Sequence, residues 1–304
     1  RKEGKILEKL KPEHQVFISE MGARKRYDIQ EICQFVNPQI GIITSIGPQH
    51  LESFKTLDAV KSTKFELADS LPEEGMLFLN ADDENIKAHG SKRPYISYSI
   101  EGDADYVAYN LSVSERGTNF SVKTPEGETA EFSTRLIGRH NVLNIVGAIA
   151  ISHKMGIALK DLRAQVRKLE GVPHRLQLSD KGNVAIIDDA YNSNPSGTKA
   201  ALEALSLFDG YKILVTPGMV ELGEKQDELN REFGQNAAAV CDYVVLVGAK
   251  QAVPIKAGLL DKKYDESKIY VASTINEALD HVYAINSQGK KKIILLENDL
   301  PDNY

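Results

Sequence analysis

The chain has 304 residues, enough for two domains of about 150 residues each. Hydrophobic residues make up 42% and charged residues 26%, an ordinary globular balance, and the net charge of -6 argues against a nucleic-acid or membrane-surface role. No apolar run approaches the ~18 residues of a membrane span, no signal peptide is present, and Cys33 and Cys241 lie far apart without metal-type spacing, so they read as reduced core thiols of a cytoplasmic protein.

In chain order, 16–23 (VFISEMGA) reads as a strand running into a glycine turn, and Asp28 to Val36 as a short amphipathic helix. Ile40 to Ile46 reads as a second strand broken by Gly47-Pro48, Thr56 to Leu71 as a helix, and Met76 to Leu79 as a third strand. Strand and helix in alternation predict a parallel sheet. From Tyr95 to Leu136 the pattern changes to short alternating runs separated by Glu115-Arg116-Gly117 and Pro125-Glu126-Gly127, which predicts a small antiparallel sheet. Helices follow at Val142 to Met155 and Lys160 to Leu169. Val184 to Ile187 reads as a buried strand, Ser196 to Leu207 as a helix. Four further strands are expected at Lys212 to Val215, Tyr243 to Val247, Ile269 to Ala272 and Lys292 to Leu296. Helices between them are expected at Glu224 to Val240, Val253 to Leu260 and Ile275 to Ile285. This second half reads as Rossmann-like but carries no GxGxxG, so its fold implies no nucleotide there. The predicted class is α/β.

Chemistry concentrates at strand ends. Ligands of open α/β sheets gather beyond the carboxyl ends of strands. Ile186 and Ile187 run into Asp188-Asp189-Ala190-Tyr191-Asn192-Ser193-Asn194-Pro195-Ser196. The plain reading is an Asx-rich turn capping a helix, and the functional one is a polar site at the end of a buried strand. Glu20 ends the first predicted strand, His50 follows the second and Lys64 lies in the next helix. Singly they read as a strand-end acid, a surface histidine and a solvated lysine. Asn141 and Asn144, three apart, share one helix face, as a cap and a satisfied polar residue if nothing more.

Taken together, these strings resemble the Mur ligases, the ATP-dependent amide-forming enzymes of peptidoglycan synthesis. The segment DDAYNSNPSG, with EMGA, resembles most the members that add D-alanyl-D-alanine to UDP-N-acetylmuramoyl-tripeptide. The resemblance runs from about Gln15 to Leu296. It implies a parallel-sheet central ATPase domain with a small antiparallel subsheet over residues 1–189, and a Rossmann-like C-terminal domain over 190–304 that turns about Asp188 to Ser196. It implies that Glu20 and His50 hold Mg2+ and that Lys64 is the lysine carbamylated in the family. Carbamylation makes a cation carboxylate-like, and magnesium takes oxygen ligands while keeping waters. Asn141 and Asn144, in the GxHNxxN pattern at Gly138 to Asn144, would contact the adenine end of ATP. Arg175, in Pro173-His174-Arg175, would contact ATP through charge-assisted bonds, with Asp189 near the ribose. Tyr191 and Asn194 would line the site, and Glu221, in 217–223 (PGMVELG), would shape the acceptor side, although a plain strand–turn–helix connection explains that string equally.

The sequence departs from the family in two places. No G-x-x-x-x-G-K-[ST] phosphate loop occurs in it. In the family that loop and the UDP-sugar domain precede EMGA, so the expectation is a piece of a longer, monomeric cytoplasmic enzyme. Leu296-Glu297-Asn298-Asp299-Leu300-Pro301 also stands where many relatives carry a lysine–glycine–serine–arginine string. A Mur-like ligase for another amino acid, a folylpolyglutamate-type ligase and a non-catalytic Mur-like interaction module are the alternative readings.

Overall fold

Two six-stranded sheets organise the chain. The computed structural model describes residues 10–47, 54–114, 116–190, 194–220 and 222–298. Two units are distinguished: residues 1–109, 122–130 and 143–159, and residues 110–121, 131–142 and 160–304.

The first sheet has the order β1 (Ile40–Ile43), β2 (Met76–Asn80), β3 (Ile96–Ile100), β4 (Tyr106–Ser114), β5 (Gly117–Lys123), β6 (Thr129–Thr134). Strands β1 to β4 run parallel. β5 and β6 follow β4 in the same sheet, over the region where the antiparallel subsheet is expected, so that region continues the parallel strands. Parallel neighbours ordinarily need a crossover of a dozen residues or more. Here β3 and β4 are joined by only 101–105, and carboxylates hold the tight return. Asp105 accepts from the Ser97 amide and hydroxyl, and Asp82 accepts from the Ser99 hydroxyl and the Ile100 amide.

Helix α1 (Asp28–Val36) has no side-chain cap of its own. Glu66 of α2 (Leu57–Ser70) takes that role from 39 residues away, accepting from the Tyr27 amide as well as the Gln30 amide. On α2, Val60, Phe65 and Ala68 enter a core with Ile43, Leu77 and Leu79. The buried Thr63 hydroxyl is satisfied by the Ala59 carbonyl. Arg93 donates to four carbonyls in and beyond the last turn of α2, those of Ala68, Leu71, Pro72 and Gly75. Helix α3 (Glu84–His89), not expected from the sequence, exists because Asp83 accepts from the Asn85 and Ile86 amides. Helices α4 (Arg139–Lys154) and α5 (Leu159–Arg167) match expectation within a few residues.

The second sheet has the order β11 (Ile269–Ala272), β10 (Tyr243–Val247), β9 (Tyr211–Thr216), β12 (Lys292–Glu297), β8 (Val184–Asp189), β7 (Gln177–Asp180). All pairs are parallel except β7 with β8. On one face Ala201 and Leu205 of α6 (Pro195–Ser206), Phe233 of α7 (Gln226–Ala238) and Ile255 and Leu259 of α8 (Ala249–Asp261) pack with Leu214, Leu246 and Leu295. On the other, Ala278 and Val282 of α9 (Ile275–Ala284) pack with Ile213, Val245 and Ile294. Cover on both faces is why these strands read as continuous apolar runs.

Two expectations are corrected. Residues 16–23 form no strand, and Val16 and Ile18 are exposed, because no ladder partner lies beside them among the described residues. The boundary expected at 189/190 is also wrong for the sheet: β8 pairs with β12 through six residues, from Val184–Lys292 to Asp189–Glu297. Asp188 to Ser196 therefore joins elements inside the second unit rather than linking two units. Among the described residues no helix is long and apolar enough to cross a membrane.

Candidate active site

In the first unit, polar groups gather beyond β1 and β2. Buried Asn80 donates to the Thr44 carbonyl, and Asp83 accepts from the Ile46 amide while capping α3. Lys64 is half-buried on α2, and Glu20 is exposed in the extended segment before α1. His50, Tyr191 and Glu221 lie outside the described residues.

The two asparagines of the GxHNxxN string differ. Asn141 is half-buried and turns its amide back onto the Ile137 carbonyl at 2.8 Å, the plain reading of a helix-start residue. Asn144, one turn later, is exposed.

In the second unit the end of β8 grips the loop before β7. His174 Nδ1 lies 2.9 Å from Asp188 Oδ2, and the Leu176 amide donates to Asp189 Oδ1 at 3.0 Å. Both flanks of Arg175 are in the left-handed region, His174 at φ 59° and Leu176 at φ 45°, where a non-glycine residue is held only by its surroundings. The buried Leu176 side chain and the two aspartates supply that hold. Arg175 is thereby presented to solvent next to the carboxylate pair. Burial pushes the Asp189 carboxyl above its ordinary range; the Leu176 amide opposes this, the Asp188 charge adds to it and the Arg175 charge again opposes it. Asn194 serves as the cap of α6, accepting from the Gly197 amide, with Pro195 at the first turn.

Sequence reading missed a buried polar group at the ends of β9 and β12. Thr216, Glu297 and Asn298 are each at most 5% exposed. The Thr216 hydroxyl accepts from the Gly218 amide, and the Asn298 amide donates to the Gly218 carbonyl. Fully buried Asn230 of α7 brackets Met219, accepting from its amide at 2.8 Å and donating to its carbonyl at 2.9 Å. These bonds fix the turn after β9, which the PGM string signals without naming its supports.

A model of the Mur ligase middle domain matches residues 4–152, and one of the Mur ligase glutamate ligase domain matches residues 174–296. The chain belongs to the Mur ligase family. The UDP-N-acetylmuramoyl-tripeptide–D-alanyl-D-alanine ligase of Escherichia coli (strain K12) is 29% identical over 95% of this chain and 65% of its own length. The enzyme of the same name from Bacillus subtilis (strain 168) is 29% identical over 93% of this chain and 61% of its own. A crystal structure of MurF from Acinetobacter baumannii superposes with a TM-score of 0.80 at 26% identity, over 98% of this chain and 64% of that one. The chain thus spans less than two thirds of the length of these Mur ligases. A Thermotoga maritima MurF ligase, solved in complex with ADP, shares the fold with a TM-score of 0.76 at 23% identity, over 92% of this chain and 63% of that one.

The residues of this Mur ligase chain suit a nucleotide in part. Asn144 offers an exposed amide and Arg175 an exposed guanidinium, while a phosphate loop is not in the 304-residue sequence. For magnesium the described residues hold no group of three His, Cys, Asp or Glu side chains able to bind a metal. Glu20 is a single exposed carboxylate there.

Asp189 yields a prediction on stability. Its folded value is raised, so the folded state holds the proton more tightly than the unfolded state. The stability that this contributes is complete below the ordinary value of 3.8 and is lost as the pH rises through the folded value. Asp189→Asn keeps an oxygen for the Leu176 amide and removes the charge. It is expected to raise the urea midpoint at pH 7, with the gain over wild type shrinking towards acid. An unchanged or lowered midpoint at pH 7 would refute the electrostatic account.

Proposed function

We propose that this chain forms the central and C-terminal parts of a cytoplasmic, monomeric, ATP-dependent ligase that joins D-alanyl-D-alanine to UDP-N-acetylmuramoyl-tripeptide during peptidoglycan synthesis, and so serves cell shape and division. The observation that carries this reading is the grip of β8 on residues 174–176, which sets Arg175 beside Asp189 at a strand end. Arg175 meets phosphate oxygens with a planar, permanently charged donor fork. Asp189 accepts from the ribose, and Asn141 and Asn144 read the adenine end. The γ-phosphoryl group passes to the terminal carboxylate of the tripeptide, and the dipeptide amine then displaces phosphate from the acyl phosphate. The chain's part is positioning and charge stabilisation. Mg2+, held by Glu20 and His50 with carbamylated Lys64 in support, would supply phosphate neutralisation. Tyr191, Asn194 and Glu221 belong to the substrate side.

A second reading has a specific motive. UDP-N-acetylmuramate–L-alanine ligase of Dictyoglomus turgidum (strain DSM 6724 / Z-1310) is also similar, 28% identical over 87% of this chain and 57% of its own length. The natural protein containing this chain should be assayed for phosphate release and for product mass with each acceptor. Tripeptide-dependent turnover with D-alanyl-D-alanine is expected. Turnover with L-alanine and UDP-N-acetylmuramate instead would select the second reading, and ATP-dependent product with neither pair would reject both. In the same assay Asp189→Asn is expected to weaken ATP binding by about tenfold or more, the effect of losing a hydrogen bond to a charged group.

A further inference from the structure

Tyr98 lies near the middle of β3 and is fully buried. Its hydroxyl is the one tyrosine oxygen among the described residues that is buried without a hydrogen-bond partner. Burial, with Asp83 and Asp82 nearby, pushes that hydroxyl further towards its protonated form. A buried hydroxyl left unpaired is a cost that phenylalanine would avoid, so the oxygen calls for an explanation.

The neighbours of the ring supply one. Gly147 of α4 lies over it: a Cβ there would come within 3.1 Å of Tyr98 Cζ and 2.9 Å of Ile42 Cδ1. Glycine lets the helix lie against the ring without displacing either side chain. Gly147 is three residues beyond Asn144, so the two share a helix face. The turn that presents the exposed Asn144 amide therefore rests on the Tyr98 ring. A pull on that turn changes the surroundings of the one unpaired oxygen beneath it.

We propose that Tyr98 is a positioning residue for nucleotide binding, whose hydroxyl, without a partner in the surrounding fold, gains one when a nucleotide draws on the Asn144 turn. The inference rests on the nucleotide reading of Asn144 given above. A cost present in one state and absent in the other shifts the equilibrium towards the second, which is how a group away from the ligand raises its affinity.

The test uses the natural full-length protein and ADP. Tyr98→Phe is expected to raise the urea midpoint of the ligand-free protein and to weaken ADP binding, by calorimetry, about tenfold. Opposite signs are the signature, because a merely structural role lowers both together. In wild-type protein labelled at tyrosine Cζ, the Tyr98 carbon resonance is expected to shift on adding ADP. Gly147→Ala, which pushes the turn outward, is expected to weaken ADP binding in a protein still folded by circular dichroism. Unchanged ADP affinity in Tyr98→Phe, or an unmoved Tyr98 resonance, would overturn the proposal while leaving the nucleotide reading intact. Asn144→Ala separates the two: undiminished ADP binding in that variant defeats the nucleotide reading, and the proposal with it.

Discussion

Gly258→Val is expected to destabilise the second unit strongly. Helices α7 and α8 meet backbone to backbone through two glycines. A Cβ on Gly258 would stand 2.0 Å from the Arg231 carbonyl oxygen, and one on Gly234 would stand 2.1 Å from the Ile255 carbonyl oxygen. Neither obstacle is a flexible side-chain tip, so an added carbon must part the helices. Parting them strips Phe233, Ile255 and Leu259 from a shared core. It also strains the pairing of Arg231 with Asp261, made by two 2.7 Å bonds. Helix propensity favours replacing glycine by about 1 kcal/mol at most. Overpacking a close contact costs about 1–3 kcal/mol and occasionally more, and here valine adds branching at a contact already impossible for alanine. Set against a typical total stability of about 5–15 kcal/mol, the larger substitution removes a substantial part of the margin. Gly258→Ala should lower the urea midpoint clearly, and Gly258→Val should lower it further. A native-like midpoint for the valine variant would mean that the helices cross at a greater distance.

On the proposed reading, the 304-residue chain by itself is expected to form no amide bond, and a longer polypeptide that adds a phosphate loop and a UDP-sugar domain is expected to form one. Phosphoryl transfer needs the phosphates held and neutralised, and in P-loop enzymes the amides and lysine of the loop share that work with magnesium. The sequence carries Arg175 and the asparagines proposed for the adenine side, but no phosphate loop. Losing positioning alone forfeits roughly 7–11 kcal/mol of barrier lowering, enough to put turnover below detection. Phosphate release with ATP, magnesium, UDP-N-acetylmuramoyl-tripeptide and D-alanyl-D-alanine, compared between the two polypeptides, decides the matter. Substrate-dependent turnover by the 304-residue chain near the rate of the longer protein would show that its phosphate site is built from other residues.

Much of this protein was determined locally. The helix Asp28–Val36 and the strands Tyr243–Val247 and Ile269–Ala272 fall where periodicity and neighbouring turn residues put them. Such signals survive because each depends on residues within a few positions. The strings around Asp188, Asn141 and Arg175 likewise announced the family, because each is a run of adjacent residues that can be read without its partners in the fold.

What only the tertiary structure decided depends on distant partners. An isolated Val184 to Asp189 reads as a strand, but nothing in it says that residues 292–297 are its neighbour; that pairing moves it into the second sheet. Residues 16–23 have the composition of a strand and lack the ladder that would make them one. The cap that Glu66 gives α1, the hold of Asp188 and Asp189 on residues 174–176, and the glycine crossing of α7 and α8 are all contacts across 12 or more residues. Hydrogen bonds and close packing are short-ranged, so chain separation hides them until the fold brings the partners within a few ångströms.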